Sequence, residues 1–195
     1  MKDVLFVQGA GEGVHAKWDI KLVESLRHEL GAGYEVRYPS MPNEADPTLA
    51  TWKPALETEF AALRNGAIVV GHSVGGALLI SVLTQSAPTI TLAAIVLIAA
   101  PFIGADGWTS EEIAPQSGLA KRLPVAVPVF LYHGENDDIV PVAHVELYAR
   151  AIPGARVRRL AGRDHQLNND LSVVASDIRA LESRAAGRES KESLL

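Results

Sequence analysis

Short apolar runs alternate with segments of helical period along almost the whole chain, and few folds accept that order. Val4 to Val7, Tyr34 to Tyr38, Ala67 to Val70, Leu92 to Ala99, Val127 to Tyr132 and Ala155 to Leu160 read as strands. Between them, Trp18, Leu22, Leu26 and Leu30 recur at every fourth position and end at Gly31 and Gly33, while Trp52, Leu56, Phe60 and Leu63 mark a second helix. Further helices are expected after Gly75, stopping near Ala87 and Pro88, from Val142 to Ala151, and from Leu171 to Arg184. Runs such as Leu92 to Ala99, apolar on both faces, suit a parallel sheet covered on each side. Six strand–helix repeats with right-handed crossovers predict an α/β fold: an open sheet of six mostly parallel strands with helices on both faces. The length of 195 residues suits one domain, expected over residues 1–186, with the polar, aperiodic stretch 187–195 as a flexible tail.

Composition narrows what such a domain could do. The net charge of −5 and the scatter of basic residues leave no footprint for a nucleic acid or an anionic membrane. The one basic cluster, Arg156, Arg158, Arg159 and Arg163, alternates along a strand and reads as a solvated or ion-paired face. Val4 to Val7 is too short for a signal or transmembrane segment, and the expected location is the cytoplasm. With no cysteine there is no disulfide or thiol chemistry, and no histidine pair has metal-ligand spacing, so neither metal nor cofactor is expected. Gly9-x-Gly11-x-Gly13 lacks the third glycine of a dinucleotide fingerprint, since Val14 stands next, and Arg37-Tyr38-Pro39 offers no acid for a ribose.

Gly71-His72-Ser73-Val74-Gly75 lies between the apolar run Ala67 to Val70 and a run compatible with helix. A serine at such a strand-to-helix turn is held in a strained conformation with its hydroxyl exposed, and flanking glycines let strand and helix close up. The bare pattern arises by chance in roughly one chain in fifteen of this length, so its placement carries the weight. A serine hydroxyl needs a base within reach and a carboxylate to orient that base. His165 is the only histidine in the last strand-to-helix turn, and Asp137 and Asp138 both follow the fifth strand. All of these fall at the carboxyl edge of the expected sheet, where ligands bind in open α/β folds. His72 is read as packing beneath the turn or bonding its backbone, His133 and His15 as structural.

The order serine, acid, histidine, with Gly134-x-x-Asp137-x-x-Val140-Pro141 and a late histidine, resembles the α/β-hydrolase superfamily. Trp18, Met41-Pro42, and Trp52 followed by Glu57-x-Glu59 are similar to the compact serine-hydrolase family typified by retinoblastoma-binding protein nine. That resemblance implies a small single domain without a large lid, Asp137 as the acid because it stands before Val140-Pro141, and a carboxylesterase acting on a small-molecule ester. Backbone N–H groups of Val74 and of Ala10, in the loop after the first strand, are the expected oxyanion hole. Met41, Phe102, Trp108 and Val140 are candidates to touch substrate, Trp108 on a small flap within Pro101 to Pro128 with Thr109 or Ser110 capping a short helix. Trp52 heads a helix stripe and reads as core. The rival reading is a binding protein that keeps the fold but turns over little or nothing.

Overall fold

A computed structural model of the chain describes residues 1–113, 115 and 118–181. Six strands form one sheet, β1 (Lys2–Val7), β2 (Tyr34–Arg37), β3 (Ala67–His72), β4 (Leu92–Ile98), β5 (Val129–Gly134) and β6 (Arg156–Leu160), in the order β2-β1-β3-β4-β5-β6. Every neighbouring pair is parallel, with Val4 opposite both Val36 and Ile68. The strand order reverses at β1, and the carboxyl ends of β1 and β3 therefore flank the crevice that doubly wound sheets use for ligands.

Successive residues of a strand point to opposite faces, and the core divides accordingly. Leu5, Val7, Val69, Leu97 and Leu131 pack on one face with Trp52, Leu56 and Phe60 of α2 (Leu49–Ala61), Leu79 of α3 (Ser73–Gln85) and Val145 of a later helix (Ala143–Ala151). Val4, Phe6, Ile68, Val70, Val96 and Phe130 pack on the other with Leu22 and Leu26 of α1 (Ile20–Leu30) and with Val174 and Ile178 of a helix over residues 172–181. Trp52 is fully buried, and its indole donates to the Pro42 carbonyl at 2.7 Å, which ties the loop after β2 to α2. The expected stretch from 182 to Arg184 and the tail 187–195 lie outside the described residues.

Trp18 departs from the expected stripe. The chain enters α1 through a π-helical segment, Val14–Asp19, whose wider turn shifts the phase of the side chains. Asp19 therefore faces inward and is fully buried, while Trp18 is turned out and 52% exposed. The other end of the sheet is closed by charge. Arg158 pairs with Asp177, Arg159 with Glu135 and Glu146, and Arg163 with Asp170, so β6 presents ion pairs rather than an open apolar edge. In the segment between β4 and β5, Ile103 bridges to Trp108, and Ser110 Oγ accepts from Glu112 and Ile113 N–H around a bend. The short helix that follows, α4, is further along at Leu119–Arg122, and the Ala143–Ala151 helix is α5. Among the described residues no helix is long and apolar enough to cross a membrane.

Candidate active site

Ser73 is the first residue of α3, directly after β3, with φ of 51°, a left-handed conformation that costs a non-glycine residue about 1–2 kcal/mol. The turn closes because Gly71, Gly75 and Gly76 around it carry no Cβ. A Cβ on Gly71 would stand 2.5 Å from the Gly76 Cα. Ser73 Oγ lies 3.0 Å from His165 Nε2, and His165 Nδ1 lies 2.8 Å from Asp137 Oδ2. The three residues come from the turns after β3, β6 and β5, and only tertiary packing makes them neighbours.

The turns that carry Asp137 and His165 are locked together. A Cβ on Gly134 would fall 2.3 Å from the Arg163 carbonyl oxygen, and Asn136 N–H donates to that same carbonyl at 2.9 Å. Asp137 Oδ1 accepts N–H bonds from Ile139 and Val140, both at 2.9 Å, and Oδ2 receives a second imidazole, His133 Nε2, at 3.1 Å. Burial alone would push this carboxyl up, but hydrogen bonds from His133, His165 and the Val140 amide hold it well below the usual range. Asp138 is exposed and lines the cavity over Ser73.

The loop after β1 closes the opposite side. Gly9 lies against the nucleophile, where a Cβ would be 3.2 Å from Ser73 Cβ, and its N–H donates to Asp19 Oδ2 at 2.7 Å. Glu44, far along the chain, staples the loop: its carboxylate accepts from Gln8 Nε2, Gly13 N–H and His15 N–H at 2.7, 2.8 and 2.9 Å, and its carbonyl from Gly11 N–H at 2.7 Å. Ala10 lines the site, and the Val74 N–H belongs to the first turn of α3, whose amides have no partner within the helix. A cavity of about 500 Å³ opens over Ser73 and His165, walled by Ala10, Val14, Trp18 and Ile139. A depression of about 550 Å³ beside Lys53 and Glu57 of α2 holds no nucleophile with a base. Among the described residues, no group of three acidic or histidine side chains is arranged to hold a metal.

A hydrogen-bonded serine, histidine and aspartate of this geometry can pass a proton from the hydroxyl to the imidazole as the oxygen attacks an acyl carbon. The family model described as Serine hydrolase matches residues 4–171. The chain belongs to the serine hydrolase family. No curated protein matches its sequence. Among solved structures, it is similar to a meta-cleavage product hydrolase from Pseudomonas fluorescens, with TM-score 0.74 and 17% identity over 95% of this chain and 92% of that one. It is also similar to the ydeN gene product from B. subtilis, with TM-score 0.73 and 18% identity over 94% of this chain and all, 100%, of the other. An esterase from Rhodococcus sp. gives TM-score 0.71 and 17% identity over 93% and 90%. The fold of this serine hydrolase is thus that of the α/β-hydrolases, in a single compact sheet.

Four residues expected to touch substrate do not line the cavity of this serine hydrolase. Met41 is in the core, its N–H donating to Gln8 Oε1 at 3.0 Å. Phe102 packs edge-on against Tyr148, and Trp108 edge-on against His144. Val140 is fully buried, and its carbonyl accepts from His133 Nε2 at 2.7 Å, which makes it a strut beneath the acid. His15 stacks on Tyr38 outside the cavity. Glu44 and Asp19 carry no motif; the one signal for Asp19 is an acid set beside an apolar stripe at the start of a helix.

Proposed function

We propose that this serine hydrolase is a carboxylesterase that cleaves a small ester through an acyl-enzyme. The observation that carries the reading is the unbroken line of hydrogen bonds from Ser73 Oγ through His165 to Asp137. Ser73 Oγ attacks the ester carbonyl carbon as its proton passes to His165 Nε2, and Asp137 stabilises the imidazolium through His165 Nδ1–H. The oxyanion that forms takes N–H bonds from Ala10 and Val74. Collapse breaks the bond to the alcohol, which leaves with the proton from His165. Water, activated by the same histidine, then releases the acid and restores Ser73 Oγ–H.

Support for a substrate with an apolar portion and no negative charge comes from the cavity wall, where Trp18 and Ile139 are 52% and 56% exposed, Asp138 adds a carboxylate and no lysine or arginine is among the lining residues. The cytoplasm remains the setting of this reading. The experiment is labelling with a fluorophosphonate probe, read by intact mass, with Ser73→Ala as control. One adduct on the wild type and none on the variant is the expected result. A folded wild type that takes no probe would favour the reading as a binding protein.

A further inference from the structure

The turn beneath Ser73 contains a further carboxylate–imidazole pair, built on a different carboxylate from Asp137. His72, directly before the nucleophile, has its ring 1% exposed, with Nδ1 2.9 Å from Asp19 Oδ2 and Nε2 3.2 Å from the backbone carbonyl oxygen of His165. The same Asp19 oxygen accepts the Gly9 N–H. One buried pair thus touches the loop after β1, the elbow after β3 and the turn after β6. We propose that Asp19 and His72 are positioning residues that hold the His165 turn, through its backbone carbonyl, at hydrogen-bonding distance from Ser73. The inference rests on the reading of Ser73 and His165 as nucleophile and base.

Proton counting supports an ionic pair. The His165 carbonyl can only accept, so His72 Nε2 carries a hydrogen. The partner of Nδ1 is a carboxylate oxygen that already accepts from Gly9, and a second hydrogen must lie between the two atoms, which the shifts of both groups toward their charged forms place on the imidazole. Burial pushes the two groups toward neutrality, but their mutual attraction and hydrogen bonds keep His72 above its ordinary value and Asp19 below.

Stability is a poor reason for such a pair. Taking both charges out of water costs several times what most exposed ion pairs return, and well-packed apolar replacements are often as stable or more so. Here the cost is larger still, because Asp19 Oδ1 is buried without a hydrogen-bond partner. What the pair provides is direction. An apolar side chain at position 72 could fill the space under the elbow, but could not fix the His165 carbonyl. The imidazole rings of His72 and His165 are 4.9 Å apart, so a slip of the base turn changes the approach of Nε2 to Ser73 directly.

The test compares wild type, His72→Leu and His72→Gln, whose amide can still donate to the carbonyl. Three readouts are the rate of Ser73 phosphonylation, kcat against KM for a p-nitrophenyl ester, and amide hydrogen exchange in residues 164–168. The expected result for His72→Leu is an unchanged or raised Tm, a phosphonylation rate and kcat lower by roughly tenfold to a hundredfold, a KM near wild type, and faster exchange in the base turn. His72→Gln restores part of each. Nitrogen NMR of the wild type should find both His72 ring nitrogens protonated. Should His72→Leu fail to fold, Asp19→Asn carries the same comparison. Wild-type rates and exchange in a folded variant, or a neutral His72 ring, would overturn the proposal. If wild-type Ser73 takes no probe, the esterase reading fails by itself, and exchange in the base turn still decides whether the pair positions it.

Discussion

Gly75 stands so close to the end of β1 that a Cβ on it would lie 1.9 Å from the Gln8 carbonyl oxygen. The second glycine of the elbow therefore sets the spacing between the nucleophile turn and the loop bearing Ala10. Gly75→Ala must push backbone from backbone, and overpacking of this kind costs about 1–3 kcal/mol. Thermal unfolding should show a lower Tm, and Ser73 in the folded fraction should label more slowly. A Tm equal to wild type would mean that the two turns are not in contact.

Ser73 presents its hydroxyl to His165 at the cost of a left-handed backbone. Glycine adopts that conformation freely, whereas alanine keeps the strain. Ser73→Gly should be more stable than Ser73→Ala by about 1 kcal/mol in urea unfolding, both being inactive. Equal midpoints would remove the strain from the account of the elbow.

Acid should unfold the protein in a defined window. The carboxyls of Asp137 and Glu44 lie below their ordinary values, and Asp170, bonded by Ser172 and then Arg163, is brought down to about 2. A carboxyl with a depressed folded pKa binds fewer protons folded than unfolded. Its contribution is complete above the unfolded value, near 3.9 for aspartate, and is lost as pH falls toward the folded one. Urea midpoints should hold steady down to about pH 5 and then decline toward pH 2. Asp170→Asn should flatten the decline between about pH 4 and pH 2; an unaltered slope would take Asp170 out of the explanation.

Trp18 and Ile139 both line the cavity and are exposed, outside the buried core. Trp18→Ala and Ile139→Ser should each change stability by no more than about 0.5 kcal/mol. KM should rise several-fold for aryl or long-chain esters, and little for methyl esters. An identical loss for every ester would point to distortion of the site instead.

The sequence made the sheet legible because β1, β3, β4 and β5 run through the interior and admit apolar residues on both faces. Their ends were harder to read. Val127 is apolar, yet β5 begins at Val129, since hydrogen bonding and not hydropathy decides where a strand starts. Ser73, Asp137 and His165 were visible because each stands at a fixed place in a strand-to-helix turn. Trp18 was misplaced because fourfold spacing assumes an α-helix, and one π-helical turn rotates the side chain out of the core. Asp19 and Glu44 went unseen for a different reason. Their roles depend on partners as far off as His72, 53 positions away, and Gln8, 36 positions away, and such pairings exist only after folding.

The hydrogen bond that links Ser73 to its base spans 92 positions of chain, and the base turn follows the last strand of the sheet. During synthesis on a ribosome the serine emerges long before the histidine that would arm it. A nascent or truncated chain ending before β6 carries the Ser73 turn without the imidazole that its hydroxyl meets in the folded molecule. The contact between Ser73 and His165 therefore exists only once β6 and the turn after it are in place.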